Sequence, residues 1–268
     1  MNKILEVDQL TREYPGRRVV DGVSFDVHSG SIHGFLGPNG AGKSTTMRMI
    51  AGLLPSTSGE VRLFGEKMRT DHQDLKVKIG LLPENPPLYL DQTVSDYLHF
   101  VARIHRLKNV KEKVNEVLES LSLTEVRRRL IGNLSKGFKQ RVGLAQAIIY
   151  DAPFLMLDEP TNGLDPQSVV ELREFIRTLA KDKTILFSSH ILSEVEQICD
   201  HITIIHEGQI KASGSLSEIH RKFHQGFVVR IGLKSGVDLP DLSSFGKYDV
   251  SSTLPLGGET QYHVSFEN

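Results

Sequence analysis

Apolar positions in the first forty residues come in short or alternating runs, Ile4–Val7, Val23–Val27 and Ile32–Leu36. Pro15-Gly16 and Ser29-Gly30 break these runs, so the pattern predicts strands joined by turns. The period changes after Lys43, where a helix is expected that ends near Gly52. Thr93 and Asp96 have the spacing of a capping box, and Val94, Tyr97, Leu98 and Val101 follow on one helical face. Further helices are predicted from Val110 to Leu121 and from near Ser135 towards Ile149. Phe154–Leu157, Ile185–Phe187 and Ile202–Ile205 read as short buried strands. Asp165-Pro166 opens another helix, with the acid as cap and proline at the first helical position.

Strands that alternate with helices predict an α/β fold with a largely parallel sheet, preceded by an antiparallel N-terminal portion. The texture shifts after about Arg221. From there the chain is rich in Gly, Ser and Pro, with strand-like pieces at Phe227–Leu233 and Tyr262–Phe266. The expected organisation is a main domain over 1–220, with a helical subdomain at about 84–150, and a small β-rich appendage over 221–268.

Composition narrows the function classes. The 268 residues include 32 Lys plus Arg against 33 Asp plus Glu, for a net charge of -1. That balance gives no electrostatic reason to expect direct nucleic-acid binding. The single cysteine, Cys199, excludes a disulfide within the chain and a cysteine-based metal cluster. No apolar run approaches the roughly 20 residues that span a bilayer. Glu6 and Asp8 interrupt the start, where a signal peptide needs an unbroken apolar core. The expectation is a cytoplasmic chain, and any transport role then needs a pore made by another polypeptide.

Residues 37–45 read GPNGAGKST: Gly37, Pro38, Asn39, Gly40, Ala41, Gly42, Lys43, Ser44 and Thr45. They satisfy G-x-x-x-x-G-K-[ST] between a predicted strand and a predicted helix, the context this phosphate loop requires. Glycines let backbone N–H groups converge on phosphate oxygens, and the helix N-terminus adds a favourable dipole. Lys43 can reach the β- and γ-phosphates, and the Ser44 hydroxyl can ligate Mg²⁺. Later, FLMLDEP at 154–160 ends an apolar strand in two acids. Taken alone these are solvated strand-end carboxylates. Downstream of a phosphate loop, Asp158 suits the Mg²⁺ shell and Glu159 suits the base that activates water.

With these motifs the chain resembles the nucleotide-binding subunit of ABC transporters from Met1 to about Ile219. LSKGFKQR at 134–141 is similar to the family's LSGGQ signature; Ser135 and Gly137 match, whereas Lys136 and Phe138 depart. The resemblance implies that Ser135 and Gly137 bind the γ-phosphate of ATP held by a second subunit. It implies a D-loop in NGLDP (162–166), and a switch role for His190 in FSSHIL, touching the γ-phosphate and the attacking water. Tyr14 matches the aromatic that stacks on adenine, and would otherwise be an ordinary strand-end tyrosine. Glu84 stands where the family usually has glutamine, so a carboxylate would join the metal shell; Gln92 is the alternative. Arg127-Arg128-Arg129 reads as a solvated helix end.

Lys136, Glu84 and the stretch LPENPPLY most resemble the branch that serves ABC-2-type exporters, which includes gliding-motility, multidrug and copper-maturation systems. The implied cofactors are ATP and Mg²⁺. The implied partners are a second nucleotide-binding subunit in a head-to-tail homodimer and a separate membrane permease. Residues about 84–98, with Pro86, Pro87, Leu88, Tyr89 and Leu90, are the expected docking loop, although Leu88 and Leu90 could equally fold into the domain's own core. The alternative function is a soluble ABC-type ATPase working on ribosomes or DNA. One cassette and no long heptad stretch disfavour it. A P-loop kinase or GTPase gives LSKGF and His190 nothing to do.

Overall fold

The computed structural model describes residues 2–223, 227–234, 240–243, 248–252 and 259–266. Two compact units emerge, Met1–Leu216 and Ser217–Asn268.

The larger unit holds two sheets. The first is antiparallel, in the order β2-β1-β4-β5, built from β1 (Lys3–Tyr14), β2 (Arg17–His28), β4 (Ser58–Leu63) and β5 (Glu66–Lys67). In β1 and β2 buried positions recur roughly every second residue, so one face is apolar, and register shifts between Val7 and Arg12 bend the ribbon. The second sheet has the order β10-β9-β3-β8-β7-β6, with β3 (Ile32–Leu36), β6 (Ile79–Leu82), β7 (Phe154–Asp158), β8 (Thr184–Ser189), β9 (His201–His206) and β10 (Gln209–Ser215). It is parallel except at β10. Every residue of β3, β7 and β8 is buried, as expected for strands covered on both faces.

Helix α1 (Lys43–Ile50) lies between the sheets. One core runs from Leu5, Leu10 and Val20 through Met47 and Ile50 of α1 to Phe35, Phe154 and Leu186. A one-turn α2 (Gln73–Lys76) precedes β6. Between β6 and β7 the chain leaves the sheet for α3 (Val94–Ile104), α4 (Val110–Ser120) and α5 (Lys136–Ile148). Their starts follow the expected chemistry: the Thr93 hydroxyl accepts from Asp96 N, and Ser135 Oγ accepts from Phe138 N. Asp165 caps α6 (Pro166–Leu179) in the same way, accepting from Ser168 N. The arginine triplet forms a turn rather than a free helix end, since the carbonyls of Arg127 and Arg129 accept from Ser95 and Val94 at the start of α3. Helix α7 (Leu192–Ile198) links β8 to β9.

The smaller unit contains most of α8 (Leu216–Phe223) and a three-stranded antiparallel sheet, β11-β13-β12, made of Phe227–Lys234, Glu259–Phe266 and Tyr248–Ser252. No helix among the described residues is long and apolar enough to cross a membrane.

Strand order creates the site. β3, β8, β7 and β6 are consecutive parallel neighbours, so their carboxyl ends lie in one row. Those ends carry the phosphate loop, His190, the Asp158-Glu159 pair and the segment that leads to Glu84. Ligands of open α/β sheets bind along such an edge.

Candidate functional site

The loop from Gly37 to Gly42 is held by backbone contacts to its surroundings. Gly37 N donates to Ser189 O (3.2 Å), Ala41 N to Pro38 O (3.1 Å) and Gly208 N to Ala41 O (3.0 Å). Gly42 has φ 107, and a Cβ there would stand 2.9 Å from Val19 O, so both its torsion and its neighbour demand glycine. Pro38, Asn39 and Gly40 are exposed, whereas Ser44 and Thr45 open α1 half-buried. Lys43 is 6% exposed and donates to Gly37 O (2.7 Å) and Pro38 O (3.2 Å). Its Nζ also lies 3.0 Å from Glu159 Oε1, an ion-pair approach without hydrogen-bond alignment.

The two acids are fixed by a residue the motifs do not mention. Ser188 Oγ donates to Asp158 Oδ1 (2.6 Å) and accepts from Glu159 N (2.9 Å). Burial raises the Asp158 carboxyl above its ordinary pKa, the hydroxyls of Ser188 and Ser44 oppose that rise, and the charges of Glu159 and Glu84 add to it. Glu159, also buried, has φ 49, a left-handed conformation that costs a non-glycine residue roughly 1–2 kcal/mol. This turn after β7 aims its carboxylate at Lys43 on one side and at His190 on the other, with His190 Nδ1 at 2.8 Å from Oε2.

Glu84 comes to the same place. Asn162 Nδ2 donates to its Oε1 (3.0 Å), and Glu84 is near enough to Asp158 to act on its charge. Gln92 lies elsewhere: its carbonyl accepts from Ile131 N beside the Thr93–Leu130 bridge, within the helical layer. Tyr14 ends β1, is 40% exposed and carries the Arg12 guanidinium 4.6 Å from its ring centroid. It pairs with Arg17, two residues from the Val19 carbonyl that confines Gly42. Ser135 and Lys136 are exposed at the start of α5. Gly137 lies 3.5 Å (at its would-be Cβ) from Leu164 Cδ2, and Lys136 covers Gly163, so the LSKG and NGLDP segments touch within one chain.

Residues outside the motifs complete the network. Ser188 has a signal in sequence, a hydroxyl directly after the apolar run Ile185–Phe187. Thr161 and Glu194 have none visible without the fold: Glu194 Oε2 accepts from Thr161 Oγ1 and Ser189 Oγ, both at 2.8 Å. No group of three His, Cys, Asp or Glu among the described residues could hold a metal alone. The buried carboxylate of Asp158 and the half-buried hydroxyl of Ser44, with Glu84 nearby, are the hard oxygen donors that Mg²⁺ prefers.

Comparison with known proteins shows the family. The profile of a family described as ABC transporter matches residues 20–162, more than half of the chain. The bacitracin transport ATP-binding protein BcrA of Bacillus licheniformis is 43% identical over 212 residues, which cover 78% of this chain and 69% of that protein. The linearmycin resistance ATP-binding protein LnrL of Bacillus subtilis is 34% identical over 238 residues, 88% of this chain and 76% of that one. Among solved structures, an ATP-binding subunit of an ABC transporter superposes with a TM-score of 0.75 at 32% identity, covering 82% of this chain and 93% of that chain.

Proposed function

This chain belongs to the ABC transporter family as an ATP-binding, ATP-hydrolysing subunit, and from that premise we propose that two copies, packed head to tail, hydrolyse Mg-ATP to drive a membrane-embedded exporter. The observation that carries the reading is the row of strand ends bearing the phosphate loop, Asp158-Glu159 and His190, with Glu159 in contact with both Lys43 and His190.

Lys43 exchanges its carbonyl partners and Glu159 for the β- and γ-phosphates, so nucleotide entry frees the Glu159 carboxylate. The backbone N–H groups of residues 39–43 cradle the phosphates, and Tyr14, 40% exposed, offers ring surface to adenine. Ser44 and Asp158 would hold Mg²⁺, with Glu84 beside them, and the bound ion would supply neutralisation of phosphate charge. Glu159 then accepts the proton of the attacking water, while His190 holds that carboxylate in place and reaches the γ-phosphate. The Ser135–Gly137 segment lies at the start of α5, with Ser135 exposed. It serves the ATP of the partner copy, whose phosphates meet the Ser135 cap at the α5 N-terminus.

The membrane partner docks on the face that includes residues 84–98. Tyr89 and Leu90 are 48% and 54% exposed there, and the Tyr89 ring packs 5.5 Å from that of Phe100. Leu88 is half-buried instead. The Glu84–Asn162 hydrogen bond ties the docking loop to the hydrolytic site. The two relatives named for bacitracin transport and linearmycin resistance support export as the direction. On this reading the chain works at the cytoplasmic face of the membrane.

The reading is tested with purified protein by phosphate release. Lys43→Ala should lose ATP binding. Glu159→Gln should bind ATP and lose about 10²–10⁴-fold in turnover, the range of a general base. Full turnover in both variants would overturn the assignment.

A further inference from the structure

Glu194 is 8% exposed, and no Lys, Arg or His pairs with it among the described residues. A carboxylate buried without a cation is costly unless hydrogen bonds hold it. Here two hydroxyls do so, Thr161 Oγ1 and Ser189 Oγ, both 2.8 Å from the same oxygen. Ser189 Oγ in turn accepts from Ile191 N (3.0 Å), which directs its hydroxyl proton to Glu194.

The positions of the two donors give the arrangement its meaning. Thr161 is two residues after Glu159, on the turn that leaves β7. Ser189 directly precedes His190, at the end of β8. Glu159 and His190 touch at 2.8 Å. The strand register holds β7 and β8 together only as far as Asp158 opposite Ser188. Beyond that pair the chains diverge into separate turns, and no backbone ladder fixes their spacing. Glu194 crosses that gap. Its backbone is itself set by Glu194 N donating to Ile191 O (3.2 Å), one residue past His190.

We propose that Glu194 is a positioning residue for hydrolysis: by binding Thr161 and Ser189 through one oxygen, it sets the separation of Glu159 and His190. This inference rests on the proposed roles of that pair. It assigns no contact with nucleotide to Glu194, so its loss should leave ATP affinity alone and misplace the general base.

A double-mutant cycle tests it, read by single-turnover ATP hydrolysis with ATP binding measured in parallel. Glu194→Ala should slow turnover by about 10-fold or more, with the dissociation constant for ATP changed less than about 2-fold. In a His190→Ala background the same change should add less than about 2-fold, because the geometry it protects is already gone. Thr161→Val, close in shape and milder for folding, should cost about 3-fold or more in turnover and likewise add nothing to His190→Ala. Losses that multiply in the double variants, or a weakened ATP affinity that accounts for the slower turnover, would overturn the proposal. If Lys43→Ala and Glu159→Gln abolish turnover while the cycle is multiplicative, only the role of Glu194 falls. If those two variants remain fully active, the underlying reading falls with it.

Discussion

Glu84 shows how far one side chain can change a site. A carboxylate in place of the amide that the family resemblance implies keeps the acceptor oxygen and adds a charge near the buried Asp158. A cation between them relieves that repulsion. Glu84→Ala is therefore expected to raise the Mg²⁺ concentration for half-maximal ATPase activity by several-fold, and an unchanged Mg²⁺ titration would remove Glu84 from the metal shell. His33 carries a second residue-scale prediction. It is buried in β3 with its Nε2 2.8 Å from Thr203 Oγ1; burial, then the charges of His201 and His28, hold its pKa down to about 3. An unfolded histidine takes its proton near 6.5. Between those values the unfolded state binds one more proton than the folded one, so this contribution to stability is complete above about pH 6.5 and is lost as pH falls towards 3. Its slope approaches about 1.4 kcal/mol per pH unit. Urea midpoints at pH 7.5 and 5.0 should differ more in the wild-type chain than in His33→Gln; equal differences would show that His33 does not set the acid limb.

At the scale of elements, the sequence is most readable where local chemistry and the fold agree. Thr93, Ser135 and Asp165 cap the helices their spacing predicts, and Ile32–Leu36 is the strand before the phosphate loop. The pattern of apolar positions gives no signal for β4, β5, β6, α2, α7, β10, α8 and β12. Ile79–Leu82 is four residues long and interrupted by Gly80, too short for any period to register. That glycine is required by packing, since a Cβ would strike Ala147 O. β10 carries no apolar run because it lies at a sheet edge. The network around the acids is partly hidden for a related reason: Thr161 and Ser189 meet through Glu194 of α7, a tertiary contact that no local spacing reports. Among the elements, the docking loop yields the next prediction. Tyr89 is half exposed and the native Cys199 is buried, so Tyr89→Cys offers one accessible thiol. In the assembled transporter it should crosslink to a cysteine in a cytoplasmic loop of the permease and retain basal ATPase activity. Failure to crosslink to any such loop in a complex that transports would remove this surface as the dock.

For the molecule as a whole, the division of labour follows from the strand order. One chain brings its phosphate loop, Asp158, Glu159 and His190 to a single edge, while Ser135 and Gly137 lie at the start of α5. The proposed remedy is a second copy, with each ATP shared between the two. Blocking hydrolysis should trap that assembly, because Glu159→Gln removes the base and leaves the cradle intact. Ser135→Arg should prevent it, since a bulky cation would replace the cap that meets the partner's phosphate. The most direct test is sedimentation of Glu159→Gln with and without Mg-ATP, beside the same variant carrying Ser135→Arg. The account predicts a dimer only for Glu159→Gln with Mg-ATP, and monomers in every other condition. A Glu159→Gln chain that binds Mg-ATP and still sediments as a monomer would contradict it.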